Sequence, residues 1–531
     1  MLKQKYLNHF NVYYFGLVLL AVSLPVSVFT MSVSQFIIAI NWIWEGDFRK
    51  KYQLLIKRKA VIIFLLIFIV HLLGLFYTSW PDGFFGPKYN ALKDLRIKLP
   101  MLLLPIIIAS SEGITAKQLK FLMLFFIASV FVNSIISTCV LFGLGNSQIN
   151  DIRDISLFIS HIRFALLINI AIFTLGYFIL QKKSSATKTE KIIYALLLFW
   201  LIIFLILLQS LTGIAVLIIC STVFLTIRVW NINNFPLRLS LLVFLFAIPL
   251  STGFYLVKTV NEFRNFDKRN IENLEKFTAL GNRYSHDFKN PQVENGHWVG
   301  LYICEKEMKT EWNKISKIKY NNKDKKGQKI KYTLLRYLSS LNLRKDASGV
   351  KKLSGMDIKS IEAGNSNYIF KNKFSLYSRI YQTIWEMDLY FRGGNPSGHS
   401  MAQRIEYLRA AMGIIARNPI IGVGTGDAQI EFNKQYELMQ SGLTENYRHR
   451  AHNQFVTFII TFGISGFLII LFAMFAPMFF EKRTTDFFFL MFMVIAFVSM
   501  FNEDTLETQP GVSFFTYFFC LFLFGRKNNT Q

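Results

Sequence analysis

Apolar stretches of about 17–25 residues recur along this chain, and that is the length an α-helix needs to cross the hydrocarbon core of a bilayer. That pattern constrains the fold class to all-α, a polytopic membrane protein. Composition agrees: of 531 residues, 52% are hydrophobic and 54 are Phe, more apolar surface than a soluble globular chain needs. The first apolar run is followed at once by another, and no small-residue cleavage site of a secretory leader is legible between them.

The runs predict about twelve transmembrane helices, near 11–29, 31–44, 60–78, 97–110, 119–143, 158–180, 192–209, 213–229, 239–258, 451–475, 485–501 and 511–525. Three parts follow: an N-terminal membrane bundle of about nine helices over 1–258, a polar segment over 259–450 between helices 9 and 10, and about three C-terminal membrane helices over 451–531. No internal repeat of the kind that marks many transporters is visible.

The net charge of +26 sets the orientation. Lys3 and Lys5, Arg49 to Lys59, Lys182 and Lys183, Arg228 and Arg238, Lys482 and Arg483, and Arg526 and Lys527 all fall on one side if twelve crossings are counted. The positive-inside rule makes that side the cytoplasm and the 259–450 segment external, that is, periplasmic. Interleaving with membrane helices argues against nucleic acid as the basic chain's partner; membrane lipids or an anionic lipid substrate fit better. The four cysteines show neither disulfide nor zinc spacing.

Inside the external segment, 305–352 is Lys-rich, with 323-KDKKGQK-329, and reads as a solvated, mobile insertion. Residues 374–392, from Phe374 through Trp385 to Tyr390, have the spacing of an amphipathic helix lying on the membrane or over the bundle. Residues 401–416 form another helix, stopped at Asn418-Pro419.

Several polar residues share the external side. Arg163 opens the sixth helix, and Ser210 and Thr212 lie in the turn between the seventh and eighth. Arg404, Arg409, Arg448 and Arg450 precede His452 and Asn453, which sit at the mouth of a long apolar run, 452-HNQFVTFIITFGISG-466. An ionisable residue at a membrane helix is a functional candidate by default. Each arginine taken singly can also be one that snorkels to the interface, and His452 one that caps its helix. The run 419-PIIGVGTGD-427 reads as a turn, or as a phosphate cradle without the lysine of a P-loop. His399, His449 and His452 lack an accompanying carboxylate motif, so no metal and no other cofactor is expected. The loop 503-EDTLETQPG-511 offers Glu503, Asp504 and Glu507 to an acceptor or to the arginines, unless it is simply solvated.

The spacing H-N-x9-G-x-x-G, together with the Arg-led helix, Asn-Pro stop and Gly-x-Gly turn of 404-RIEYLRAAMGIIARNPIIGVGTGD-427, resembles the O-antigen ligase/polymerase superfamily. The resemblance implies an inverting, metal-independent glycosyltransferase of the bacterial inner membrane. It would move a glycan from undecaprenyl diphosphate to an acceptor on the periplasmic face, either lipid A-core (a ligase) or a growing glycan (an O-antigen or capsule polymerase). A protein O-glycosylating relative shares the chemistry. The resemblance also implies Arg404 as a diphosphate ligand and His452 as general base; Arg163, Arg409, Arg450, Asn453, Ser210 and Thr212, placed on the same side by the topology, are substrate-binding candidates beside them. Guanidinium forks suit diphosphate oxygens, and imidazole suits removal of an acceptor proton. One departure stands out: Leu211 occupies the position where the family often carries an arginine. A lipid-linked sugar transporter and a non-catalytic assembly protein are the competing classes.

Overall fold

The computed structural model describes residues 8–79, 91–144, 152–181, 186–264, 274–372 and 375–527; Lys3, Lys5, Lys182, Lys183 and Phe374 lie outside them. Every apolar run read above carries a helix. Among the described residues, seven helices are long and apolar enough by themselves to cross a membrane: Lys59–Tyr77, Ala116–Leu141, His161–Leu180, Lys188–Leu207, Leu211–Trp230, Phe235–Asn261 and Gln454–Phe480. His9–Ser23, Phe487–Met500 and Gln509–Leu523 are apolar but shorter. The chain is thus mostly helical and multi-pass, and among the described residues length and composition support seven of the expected twelve crossings.

The chain forms two compact units, one of residues 1–245, 406–441 and 448–531, the other of 246–405 and 442–447. The polar segment expected over 259–450 therefore divides: 406–441 and 448–450 pack with the membrane helices.

In the membrane unit, the Gln509–Leu523 helix is buried on all sides from Gly511 to Leu523. It is an inner element of the unit, and Phe515, Phe518 and Phe519 pack on Phe64, Phe126 and Phe492. Sparse polar bonds tie helices together, among them Gln35 Nε2 to Ser513 Oγ at 2.7 Å and the Tyr517 hydroxyl to the Leu17 carbonyl at 2.8 Å.

The Gln454–Phe480 helix is broken at Gly463, where φ is 65° and ψ is −173°. The segment after the Asn418-Pro419 stop fits into that break. Ile464 N–H donates to the Pro419 carbonyl at 2.9 Å, and Val423 and Gly424 N–H donate to the Ile460 and Thr461 carbonyls, both at 2.9 Å. A Cβ at Gly463 would collide with the Ile420 carbonyl, and one at Gly422 with backbone of Thr461 to Gly463. Gly422 and Gly463, one from each motif, thus serve one backbone-to-backbone approach that only residues without a Cβ permit. The amides of Val423 and Gly424, and that of Thr425 through the Gly74 carbonyl, are committed to this packing rather than free for phosphate.

At the C-terminal end of this helix a layer of charges gathers. Arg58 bonds Glu481 at 3.2 Å, and Arg526 bonds Asp486 at 2.6 Å. Asn453 and His452 lie at the other end, 27 helical residues away, roughly 40 Å at 1.5 Å per residue.

The second unit overturns the reading of 305–352 as a mobile insertion. Trp312, Tyr320, Leu334, Tyr337, Val350 and Ile361 form a buried core. Helices Glu305–Ile315 and Ile330–Ser340 are amphipathic, so their lysines lie outward while the i, i+3, i+4 apolar positions turn in. The Leu376–Phe391 helix likewise buries Tyr381, Trp385 and Leu389 against Phe263, and Trp385 Nε1 donates to the Val293 carbonyl at 2.9 Å. Its apolar face is covered by its own unit, not reserved for a membrane surface.

Candidate active site

The site is built around the loop joining the last two apolar helices of the membrane unit. Between them, Asn502, Glu503 and Asp504 engage three residues singled out from the sequence. Asn502 Nδ2 donates to Thr212 Oγ1 at 2.5 Å. Glu503 Oε2 is 3.7 Å from His452 Nδ1, and its charge also reaches Arg163. Asp504 Oδ2 accepts the His452 backbone N–H at 3.0 Å, while Oδ1 accepts from Thr457 Oγ1 at 2.7 Å. Three consecutive loop residues thus draw together Arg163, Thr212 and His452.

His452 has φ of 49°, in the left-handed region that a non-glycine residue occupies only under constraint. Its ring stacks on Tyr407, with centroids 5.6 Å apart and planes 25° apart, and meets His449 edge-on at 6.1 Å. Its Nδ1 is buried without a hydrogen bond, beside the Glu503 carboxylate. The ring is held on one face and its own backbone is tied down, which suits a group that must present one nitrogen to a reactant.

Beneath the loop lies a network of buried charges. Glu507 accepts from Lys98 Nζ at 2.9 Å, from Arg450 at 3.0 Å and from Gln454 Nε2 at 3.0 Å. Arg450 also bonds Asp94 at 3.3 Å. Burial opposes ionisation of Glu507, but Lys98 and Arg450 outweigh it and hold the carboxyl far down, at about 2. Asp504 goes the other way: burial and the neighbouring Glu507 charge push it above its ordinary value. His449 is lowered by burial and by His452. Burial would lower Arg450, yet Asp94, Glu507 and Asp504 raise it.

Other candidates have local duties. Asn453 caps the Gln454–Phe480 helix, its Oδ1 accepting from Phe455 and Val456 N–H at 3.1 Å, and its Nδ2 donates to the Phe501 carbonyl. Ser210 caps Leu211–Trp230 through Gly213 N–H at 3.3 Å. Arg409 is exposed and bonds Glu406 at 2.7 Å. Arg404 belongs to the second unit, on the Ser400–Arg417 helix one turn before Tyr407. Among the described residues, no three His, Cys, Asp or Glu side chains assemble as metal ligands.

Lys98, Asp94, Asn502, Thr457 and Tyr407 escaped the reading from sequence. The acidic loop was legible as a partner for arginines, and the Arg450–Glu507 pair realises that reading in place of a solvated loop. Nothing local marked Lys98 or Asp94, because their partners lie several hundred residues away.

No curated protein matches the chain. Residues 358–471, which include Arg404, the glycine-rich segment and the His452 motif, match the family model described as O-antigen ligase, and this supports the similarity of the chain to the O-antigen ligase/polymerase superfamily.

Proposed function

We propose that the protein is an inverting glycosyltransferase that moves a glycan from undecaprenyl diphosphate to an acceptor hydroxyl, with lipid A-core as the acceptor. The observation that carries this reading is the convergence of Arg163, Thr212 and His452 on Asn502–Asp504. His452 takes the proton of the attacking hydroxyl. The oxygen lone pair then bonds to the sugar's anomeric carbon as the carbon–oxygen bond to diphosphate breaks, and undecaprenyl diphosphate leaves with that electron pair. Glu503 orients the imidazole through Nδ1, the arrangement in which the other nitrogen accepts the proton. Arg163 faces the charge growing on the diphosphate, where a fixed cation lowers the barrier, and the family resemblance adds Arg404 as a diphosphate ligand. Arg450 is already paired with two carboxylates and organises the loop. The reaction needs no metal: two guanidinium groups supply the positive charge. The site faces the periplasm in the inner membrane, opposite the Arg58–Glu481 layer.

The test is transfer by the purified protein in nanodiscs, with undecaprenyl-diphosphate glycan as donor and either lipid A-core or a lipid-free glycan as acceptor, in the presence and absence of EDTA. Lipid A-core is expected to gain the mass of the glycan with inverted anomeric configuration, with or without EDTA. Mass gain by the lipid-free glycan alone would make the protein a polymerase. Donor crossing the bilayer with no acceptor modified would make it a transporter.

A further inference from the structure

The densest run of lysines in the chain is held in a fixed shape. Asp324 is buried at 5% exposure, and its Oδ1 accepts from Lys326 and Gln328 N–H, both at 3.0 Å, while Oδ2 accepts from Thr333 Oγ1 at 2.6 Å. Such side-chain bonds to the following amides define a turn, and Gly327 completes it with φ of 87°. Lys323 and Lys329 pair across the turn as antiparallel backbone, and the Lys325 N–H donates to the Glu362 carbonyl at 3.0 Å. The turn is thereby pinned to the core around Trp312, Tyr320 and Ile361.

This hairpin exposes Lys323, Lys325, Lys326 and Lys329, and the adjoining Lys317 and Lys319 are exposed as well. Like charges on a rigid turn repel, at a cost that a flexible tail would relax. A fixed basic surface therefore fits a fixed, multivalent anionic one. The chain's own membrane-spanning helices tether this unit beside a bilayer, a dense array of phosphates. We propose that the 323–329 hairpin docks on the phosphate-bearing headgroups of anionic membrane lipids. Each lysine brought to such a surface contributes about a fivefold gain in binding. The inference does not depend on the transfer reaction.

The experiment uses the full-length protein in neutral phosphatidylcholine nanodiscs and measures its binding to added vesicles by flotation. Vesicles of phosphatidylcholine with phosphatidylglycerol are expected to bind, and pure phosphatidylcholine vesicles are not. Lys323→Glu/Lys325→Glu/Lys326→Glu/Lys329→Glu should weaken binding to anionic vesicles by roughly 100-fold or more with an unchanged melting temperature. If that variant melts early, the same four positions changed to Gln should still lose most of the binding. Equal binding to both vesicle types, undiminished binding by the folded variants, or displacement by low inorganic phosphate would overturn the proposal. Retention of a soluble polyanion in preference to anionic vesicles would do so too.

Discussion

The Glu503 carboxylate stands 3.7 Å from Nδ1 of His452, whose backbone N–H is bound by the next residue, Asp504. This distance exceeds a hydrogen bond, but catalytic contacts in ligand-free sites commonly tighten when substrate binds. His452→Ala should lose transfer by about 10²–10⁴-fold, the scale of a missing acid–base group. Glu503→Gln should also lose transfer, up to roughly 10⁴-fold, because the imidazole loses the carboxylate that fixes its tautomer. Both variants should bind donor and melt normally. Transfer per correctly inserted molecule is the measurement, and near-normal activity of His452→Ala would remove the imidazole from the mechanism.

Glu507 neutralises a lysine that is 1% exposed. Glu507→Gln leaves Lys98 buried without its counter-charge, so stability should fall by about 3–5 kcal/mol, whereas Lys98→Met/Glu507→Gln should recover much of it. The Glu507 carboxyl is held at about 2 against an ordinary 4.5. Its folded value is the lower one, so the stabilisation is complete above pH 4.5 and is lost as pH falls toward 2. Asp504, held above its ordinary value, contributes with the opposite sign and blunts the loss. Melting of the purified protein from pH 7 to pH 3 should fall more steeply for wild type than for the double variant.

Gly463→Ala should destabilise the protein by roughly 3 kcal/mol or more, because a strained φ and a backbone collision act together. Melting temperature and the fraction correctly inserted report it. A variant that melts like wild type would show that the break in the helix can close without the 419–424 segment.

Arg404→Lys keeps the charge and loses the planar fork. A loss of roughly 1–3 kcal/mol in transition-state binding, the scale of charged hydrogen bonds, is expected. It should appear in kcat/KM for the donor, and equal turnover would mean that Arg404 only packs.

Sidedness follows from Lys325, exposed on the second unit. Lys325→Cys should be labelled by a membrane-impermeant thiol reagent in cells whose outer membrane alone is permeabilised. Labelling that needs inner-membrane lysis would place the unit in the cytoplasm and reverse the proposed topology.

The sequence by itself determined the helices, because a long apolar run has few alternatives in lipid and its length is read directly. It also marked Arg163, Thr212 and His452 as polar residues at helix mouths. It misjudged 305–352, where the number of lysines masked the apolar spacing of Trp312, Tyr320 and Leu334. What Gly422 and Gly463 are for was beyond it: the segment from Pro419 is seated in the helix break at Gly463, a contact between stretches distant in the chain. Tertiary structure alone decided which charges meet. The Lys98–Glu507 and His452–Glu503 pairs join residues far apart in the chain. A buried charge is tolerable only beside its partner, and no local pattern records where that partner lies.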